Sequence, residues 1–153
     1  MNEGVLRDSV GYQMKRVAHA LRLRMDALLR KIGLTTPQYA ALSVLEGEAG
    51  LSGAELARRG FVTPQTMNQI LVNLETGGLV KRRPHPVHDR VLQAYVTEKG
   101  RRLLSEAHHL VEAIEERMLS SLNESQRLKL LNTLRTCAES LETAAETTVT
   151  PTK

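Results

Sequence analysis

The chain is 153 residues long, about one domain's worth, and 41% apolar against 25% charged residues can bury a core. Its four aromatics (Tyr12, Tyr39, Phe61, Tyr95) are too few for a surface that stacks successive bases of a single strand, and one cysteine, Cys137, excludes an intramolecular disulfide framework or a multi-cysteine zinc site. The net charge of +4 is uneven: residues 81–102 hold seven basic and two acidic side chains and residues 1–32 seven and three, an electrostatic footprint for a polyanion.

In chain order, Val10, Met14, Val17, Ala18, Leu21, Met25, Leu28, Leu29 and Ile32 recur at steps of three and four. They predict an amphipathic helix from Ser9 to Ile32, stopped by Gly33. Thr36-Pro37 reads as a cap followed by proline and opens a helix through Leu45. Ser52-x-x-Glu55 is a capping box for a short helix ending near Arg59-Gly60. Thr63-Pro64 repeats the cap-plus-proline signal for a helix to about Glu75, ended by Gly77-Gly78. Leu79–Arg83 and Val91–Val96 have strand character around a tip containing Pro84 and Pro86, which suits an edge hairpin. After Thr97 a helix carries Leu103, Ala107, Leu110, Val111, Ile114, Met118 and Leu122 on one face. Asn123-x-x-Gln126 opens a last helix with Leu128, Leu131, Leu134, Ala138, Leu141 and Ala145 in phase. Residues 147–153 are polar, Thr-rich and broken by Pro151, and are expected to fray.

Two short helices joined by Gly60-Phe61-Val62 and followed by a two-stranded ribbon describe a winged helix-turn-helix over residues 36–97. The expected fold class is therefore mainly α with a small β-hairpin wing. Phe61 and Val62 are expected to anchor the turn from beneath. In the second helix Met67, Ile70, Leu71 and Leu74 share the core face, which leaves Gln65, Thr66, Asn68, Gln69 and Asn73 outward with no acid before Glu75. Asn and Gln amides can pair bidentately with adenine N6/N7, so Gln65, Thr66, Asn68 and Gln69 are the candidate base readers. Thr63 and Thr66 can donate to phosphate beside the unpaired N–H groups of the helix start. The ribbon holds Lys81, Arg82, Arg83, His85, His88 and Arg90, the densest basic cluster of the chain. Such a wing can straddle the backbone and put an arginine into a minor groove. Thr63, Asn73, Lys81, Arg82, Arg83, His88 and Arg90 are the candidate backbone and wing contacts.

The run from Leu34 to Leu104 resembles the MarR (multiple antibiotic resistance regulator) family. The specific parts are the cap and apolar pattern from Thr63, Leu-Glu-x-x-Gly-Leu-Val at 74–80 and Val-Thr-x-x-Gly at 96–100. Family wings usually carry an acid two positions before the wing arginine. Arg90 matches that arginine, but His88 stands in the acid's place, and His85-Pro86 stands where Asp-Pro is common. The resemblance implies a homodimer whose terminal helices form the dimer body while two winged modules read a palindromic operator in double-stranded DNA. It also implies a repressor released by a small aromatic or anionic effector, for which His19 and Arg22 are the candidate pocket residues. The apolar stripes point the same way. A module of 36–97 cannot cover the stripes of 9–33 and 98–146, whereas a symmetric second chain can.

The remaining constellations are weaker. Cys137 lies in phase with Leu130, Leu134 and Leu141 and reads as a buried, inert thiol. His108 and Glu112 sit one turn apart, but two ligands are not a metal site, and a solvated helix face is the better reading. No Gly-rich phosphate loop, G-x-S-x-G or H-E-x-x-H is present, so no enzyme and no cofactor is expected. The alternatives are a winged helix that docks a protein partner without DNA, and a metal-responsive regulator using His108 and Glu112. No run of ~20 apolar residues and no secretory N-terminus is visible, so a cytoplasmic protein without membrane contact is expected.

Overall fold

Residues 3–147 are described by a computed structural model. A short α1 (Glu3–Arg7), not foreseen from the sequence, precedes α2 (Val10–Arg30), whose N-cap Ser9 accepts from the Tyr12 N–H. Helix α3 (Thr36–Gly47) is capped by Thr35, not by Thr36. Thr35 and Gln38 form a reciprocal capping box, while Thr36 is already helical and its hydroxyl donates to Asp26 on α2. A two-residue strand β1 (Leu51–Ser52) comes next, followed by α4 (Gly53–Arg59) and α5 (Pro64–Thr76). Strands β2 (Val80–Pro84) and β3 (Leu92–Val96) form the hairpin, followed by α6 (Glu98–Met118) and α7 (Glu124–Thr147). Ser52 and Asn123 both build the boxes their spacing predicts. Helix α6 stops at Met118, so Leu122 lies outside its stripe. Of the expected frayed tail only Thr147 is described, as the end of α7; residues 148–153 lie outside the described residues.

The expected two-stranded ribbon is a three-stranded antiparallel sheet in the order β1-β3-β2. Leu51 pairs with Ala94 on one side of β3, and Val80 with Val96 and Arg82 with Ala94 on the other. The two-residue β1 is too short to carry an alternation that could be read in advance.

The chain separates into two compact units, one up to Ile114 and one from Glu115. The first is centred on leucines supplied by every helix from α2 to α6 and by the α2–α3 connection: Leu29, Leu34, Leu42, Leu45, Leu56, Leu71, Leu74 and Leu104 are fully buried. Each contributes about 1.5–3 kcal/mol by leaving water. On α5 the buried positions are Met67, Ile70, Leu71 and Leu74, the helical spacing read from the sequence, so the opposite face is fixed outward.

The base of the hairpin is tied at a single knot. The Thr97 N–H donates to the Leu79 carbonyl at 3.0 Å, and its hydroxyl donates to the Gly78 carbonyl at 2.6 Å while accepting from the Gly100 N–H at 3.0 Å. Gly100 allows this approach, since a Cβ there would lie 2.2 Å from the Leu79 oxygen.

The second unit is simpler. Arg127 donates to the Leu119 and Leu122 carbonyls, both at 3.1 Å, and pairs with Glu116. Every described side chain of α7 from Leu128 to Ala144 is exposed in the single chain, Leu141 at 75%. Cys137 is exposed with them, which corrects the expectation of a buried thiol. Its stripe has the right phase, but among the described residues nothing covers it.

Candidate nucleic-acid interface

The turn between α4 and α5 differs from expectation at one residue. Val62 packs on the core, but Phe61 is 92% exposed and has φ +53°, in the left-handed region that a bulky side chain adopts at a cost. The backbone reversal turns the ring outward, so Phe61 does not anchor the turn from beneath.

Thr63 caps α5: its oxygen accepts from the Thr66 N–H at 3.2 Å and its hydroxyl donates to Thr66 Oγ1 at 3.0 Å. Thr66 therefore keeps its own hydroxyl proton for an outside acceptor, while that of Thr63 is engaged. Gln65, Thr66, Asn68, Gln69 and Asn73 all stand exposed along one side of α5, as the helical period requires. Gln69 Nε2 donates to Asn73 Oδ1 at 3.1 Å, so these two amides act as a pair.

The wing residues divide by strand parity. Val80 and Arg82 point to the same side of β2 as buried Ala94 and Val96 across the ladder, and Lys81 and Arg83 point to the other. Lys81 and Arg83 are exposed, and the Arg83 guanidinium lies 5.7 Å from the centroid of the Tyr95 ring. At the tip His85 Nδ1 accepts from the Val87 and His88 N–H groups at 3.0 and 3.2 Å, and the His85 N–H donates to the Val91 carbonyl at 2.7 Å. The ring of His88 lies against that of His85, with centroids 5.2 Å apart. Arg90 is exposed and makes no hydrogen bond or ion pair among the described residues, so Asp89 does not brace it.

Arg82 faces inward, with its side chain only 15% exposed. Its Nε and backbone N–H donate to Glu75 Oε2 at 3.4 and 3.1 Å, and its terminal nitrogens donate to Glu75 Oε1 at 3.3 Å and to Asn68 Oδ1 at 3.2 Å. The guanidinium bonds hold the Glu75 carboxyl below its ordinary range against the opposing effect of desolvation. Of the four lysine and arginine side chains from Lys81 to Arg90, Arg82 is the one whose hydrogen bonds are spent on α5. The sequence contained the clue, since Arg82 is two residues from apolar Val80 and shares its face.

The other candidates are not gathered into sites. His19 and Arg22 are exposed on α2, and Arg22 Nε faces Asp26 at 3.7 Å. His108 does not meet Glu112. Its Nδ1 is 3.0 Å from the Tyr39 hydroxyl and its Nε2 is 2.8 Å from Glu46, so it is half-buried and joins α6 to α3, which corrects the solvated-face expectation. His109 is the histidine near Glu112, at 3.9 Å, and no group of three metal-ligating side chains occurs among the described residues.

Residues 32–90 match the model of the MarR family. The HTH-type transcriptional repressor Rv2887 of Mycobacterium tuberculosis is 41% identical over 118 residues, covering 77% of this chain and 85% of the relative. The transcriptional repressor CouR, solved bound to a 23-mer DNA duplex, superposes with a TM-score of 0.81 at 28% identity, covering 90% of this chain and 98% of that one. The Mycobacterium tuberculosis protein Rv2887 in complex with salicylic acid superposes at 0.69 with 38% identity, covering 84% of this chain and 96% of that one. With the winged helix-turn-helix, the capped α5 and the basic wing in place, the chain belongs to the MarR family of transcriptional regulators.

Proposed function

We propose that the protein is a transcriptional repressor that binds palindromic operators as a homodimer and is released by a small aromatic or anionic effector. The observation that carries this is the outer side of α5: amides and threonines with no acid until Glu75, standing beside a wing that exposes Lys81, Arg83 and Arg90. Thr66, Gln65, Asn68 and Gln69 face a major groove, Lys81, Arg83 and His88 follow the phosphates, and Arg90 enters the adjacent minor groove. A surface that docks a protein partner calls instead for an apolar patch; among the large apolar side chains of α5 only Val72 is exposed on this side, and one valine does not make a patch.

The exposed stripes of α2 and α7 supply the dimer contact. His19 and Arg22 are the residues proposed for the effector, and a guanidinium matches a carboxylate such as salicylate's bidentately. An effector releases DNA only as far as it prefers the misaligned state, so effector and operator oppose each other reciprocally. No described helix is long and apolar enough to cross a membrane, and the cytoplasm is the proposed location.

The test is fluorescence anisotropy on an operator duplex over a salt series. Arg90→Ala should lower the slope of log affinity against log salt by about one, one phosphate-level contact, with the circular dichroism unchanged. An unchanged slope removes Arg90 from the interface.

A further inference from the structure

The link from the wing to α5 decides which chemical edge of a base the reading helix can recognise. We infer that Arg82 is a positioning residue that holds Asn68 as a one-way donor, so that Asn68 reads a base acceptor in the major groove and does not pair bidentately with adenine. This rests on the DNA-binding function proposed above.

The inference follows from the donor inventory. A guanidinium carries only donors, so the side-chain atom that Asn68 turns to Arg82 at 3.2 Å has to be its oxygen. The oxygen keeps a second lone pair, but its bond to Arg82 on β2 fixes it toward the wing, so the amino group is the end presented to a duplex. Bidentate pairing with adenine needs both ends, the oxygen accepting from N6 and the amino group donating to N7. An amino group alone fits guanine N7 or O6, adenine N7 or thymine O4. Gln69 and Asn73 are different, since two amides bonded to each other can reverse together and keep their bond.

Arg82 can hold this orientation because it is itself held. Two of its guanidinium nitrogens bond the two oxygens of Glu75 and its backbone N–H bonds Glu75 again, which leaves the third nitrogen for Asn68. Strand parity buries the side chain against α5, away from the face that carries Lys81 and Arg83. A guanidinium neutralised by Glu75 and turned inward is poorly placed to displace a counterion from a phosphate. Arg82 therefore acts on base preference, whereas the exposed wing residues act on affinity for any duplex.

The experiment uses the full-length protein and has two arms. Binding-site selection with the wild type and with Asn68→Ala locates the base pair whose preference Asn68 sets. The wild type is then titrated against duplexes altered there by one group. Deleting the acceptor (a 7-deazapurine for N7, 2-aminopurine for guanine O6, 4-deoxythymine for O4) should weaken binding about three- to tenfold, the worth of one hydrogen bond. Deleting only the N6 amino group of an adenine at that pair should change binding less than about twofold. In the second arm Arg82→Gln, whose amide can donate or accept, should relax preference at the same base pair and leave the salt slope unchanged. A loss on deleting the adenine amino group, an Asn68→Ala variant with unaltered preferences, or an Arg82→Gln variant that lowers the salt slope by one while keeping its preferences would each overturn the inference. A wild type that selects no sequence overturns the proposed function instead.

Discussion

Replacing Gly100 by alanine tests whether the knot at the base of the wing is as tight as the geometry requires. The added Cβ would lie 2.2 Å from the Leu79 oxygen, 3.1 Å from its carbon and 2.8 Å from Val96 Cγ1. Carbon and oxygen tolerate about 3.3 Å, so the Leu79 carbonyl must retreat by roughly 1 Å. That carbonyl is backbone and accepts the Thr97 N–H, so it cannot swing away as a side-chain end would. Overpacking costs about 1–3 kcal/mol and the strained hydrogen bond about 1, while alanine's better helix propensity returns about 1. The net expectation is a loss of about 1–3 kcal/mol, or a fall of about 1 M in the urea midpoint. Gly47→Ala is the control: a Cβ there meets nothing within 4 Å, and stability should hold or rise by up to about 1 kcal/mol. Because Leu79 lies between α5 and β2 and its carbonyl ties that connection to Thr97, folded Gly100→Ala should also bind operator more weakly. A Gly100→Ala variant with the wild-type midpoint would refute the reasoning.

Three further outcomes are expected. Phe61→Asn should raise stability by about 0.5–1 kcal/mol in thermal or urea unfolding, since asparagine tolerates a φ of +53° and the phenyl ring buries almost nothing; a loss of more than that would mean the ring is packed. In a carbon-detected NMR titration the Glu75 carboxyl should show its midpoint below the usual 4.5. Because the folded state holds that proton less tightly than the unfolded state, the link is complete above that value and is lost as pH falls through the depressed one. Arg82→Gln should move the midpoint back up, and a midpoint at or above 4.5 in the wild type would break the assignment. Sedimentation should give a dimer for the wild type and a 17 kDa species for Leu134→Glu, which puts a charge in the exposed stripe of α7; a folded wild-type monomer would contradict the dimer.

What was legible in the sequence was local. Ser52 with Glu55, Thr63 with Thr66 and Asn123 with Gln126 specify helix starts through bonds that span three residues, and the apolar period of α5 fixes its outward side. Less legible was anything set by a neighbouring element. Thr35 and Thr36 are adjacent and either can cap, and the bond of Thr36 to Asp26 belongs to the packing of α2 on α3. Phe61 reads as core by composition and is turned out by one backbone angle. His108 reads as a lone helical histidine because its partners, Tyr39 and Glu46, are 62 or more positions away. Cys137 lies on an apolar stripe that one chain leaves open. Arg82 reads as a wing cation by its charge, although its period with Val80 puts it on the inner side.

Binding-site selection on random duplex DNA with the full-length protein tests the central claim most directly. Two α5 helices related by a two-fold axis have to meet the same face of the duplex. The recovered site should be an inverted repeat with half-sites centred about 34–36 Å apart, one helical turn, or a multiple of it. No enrichment over the input library, or a single asymmetric half-site bound at full affinity, would contradict it.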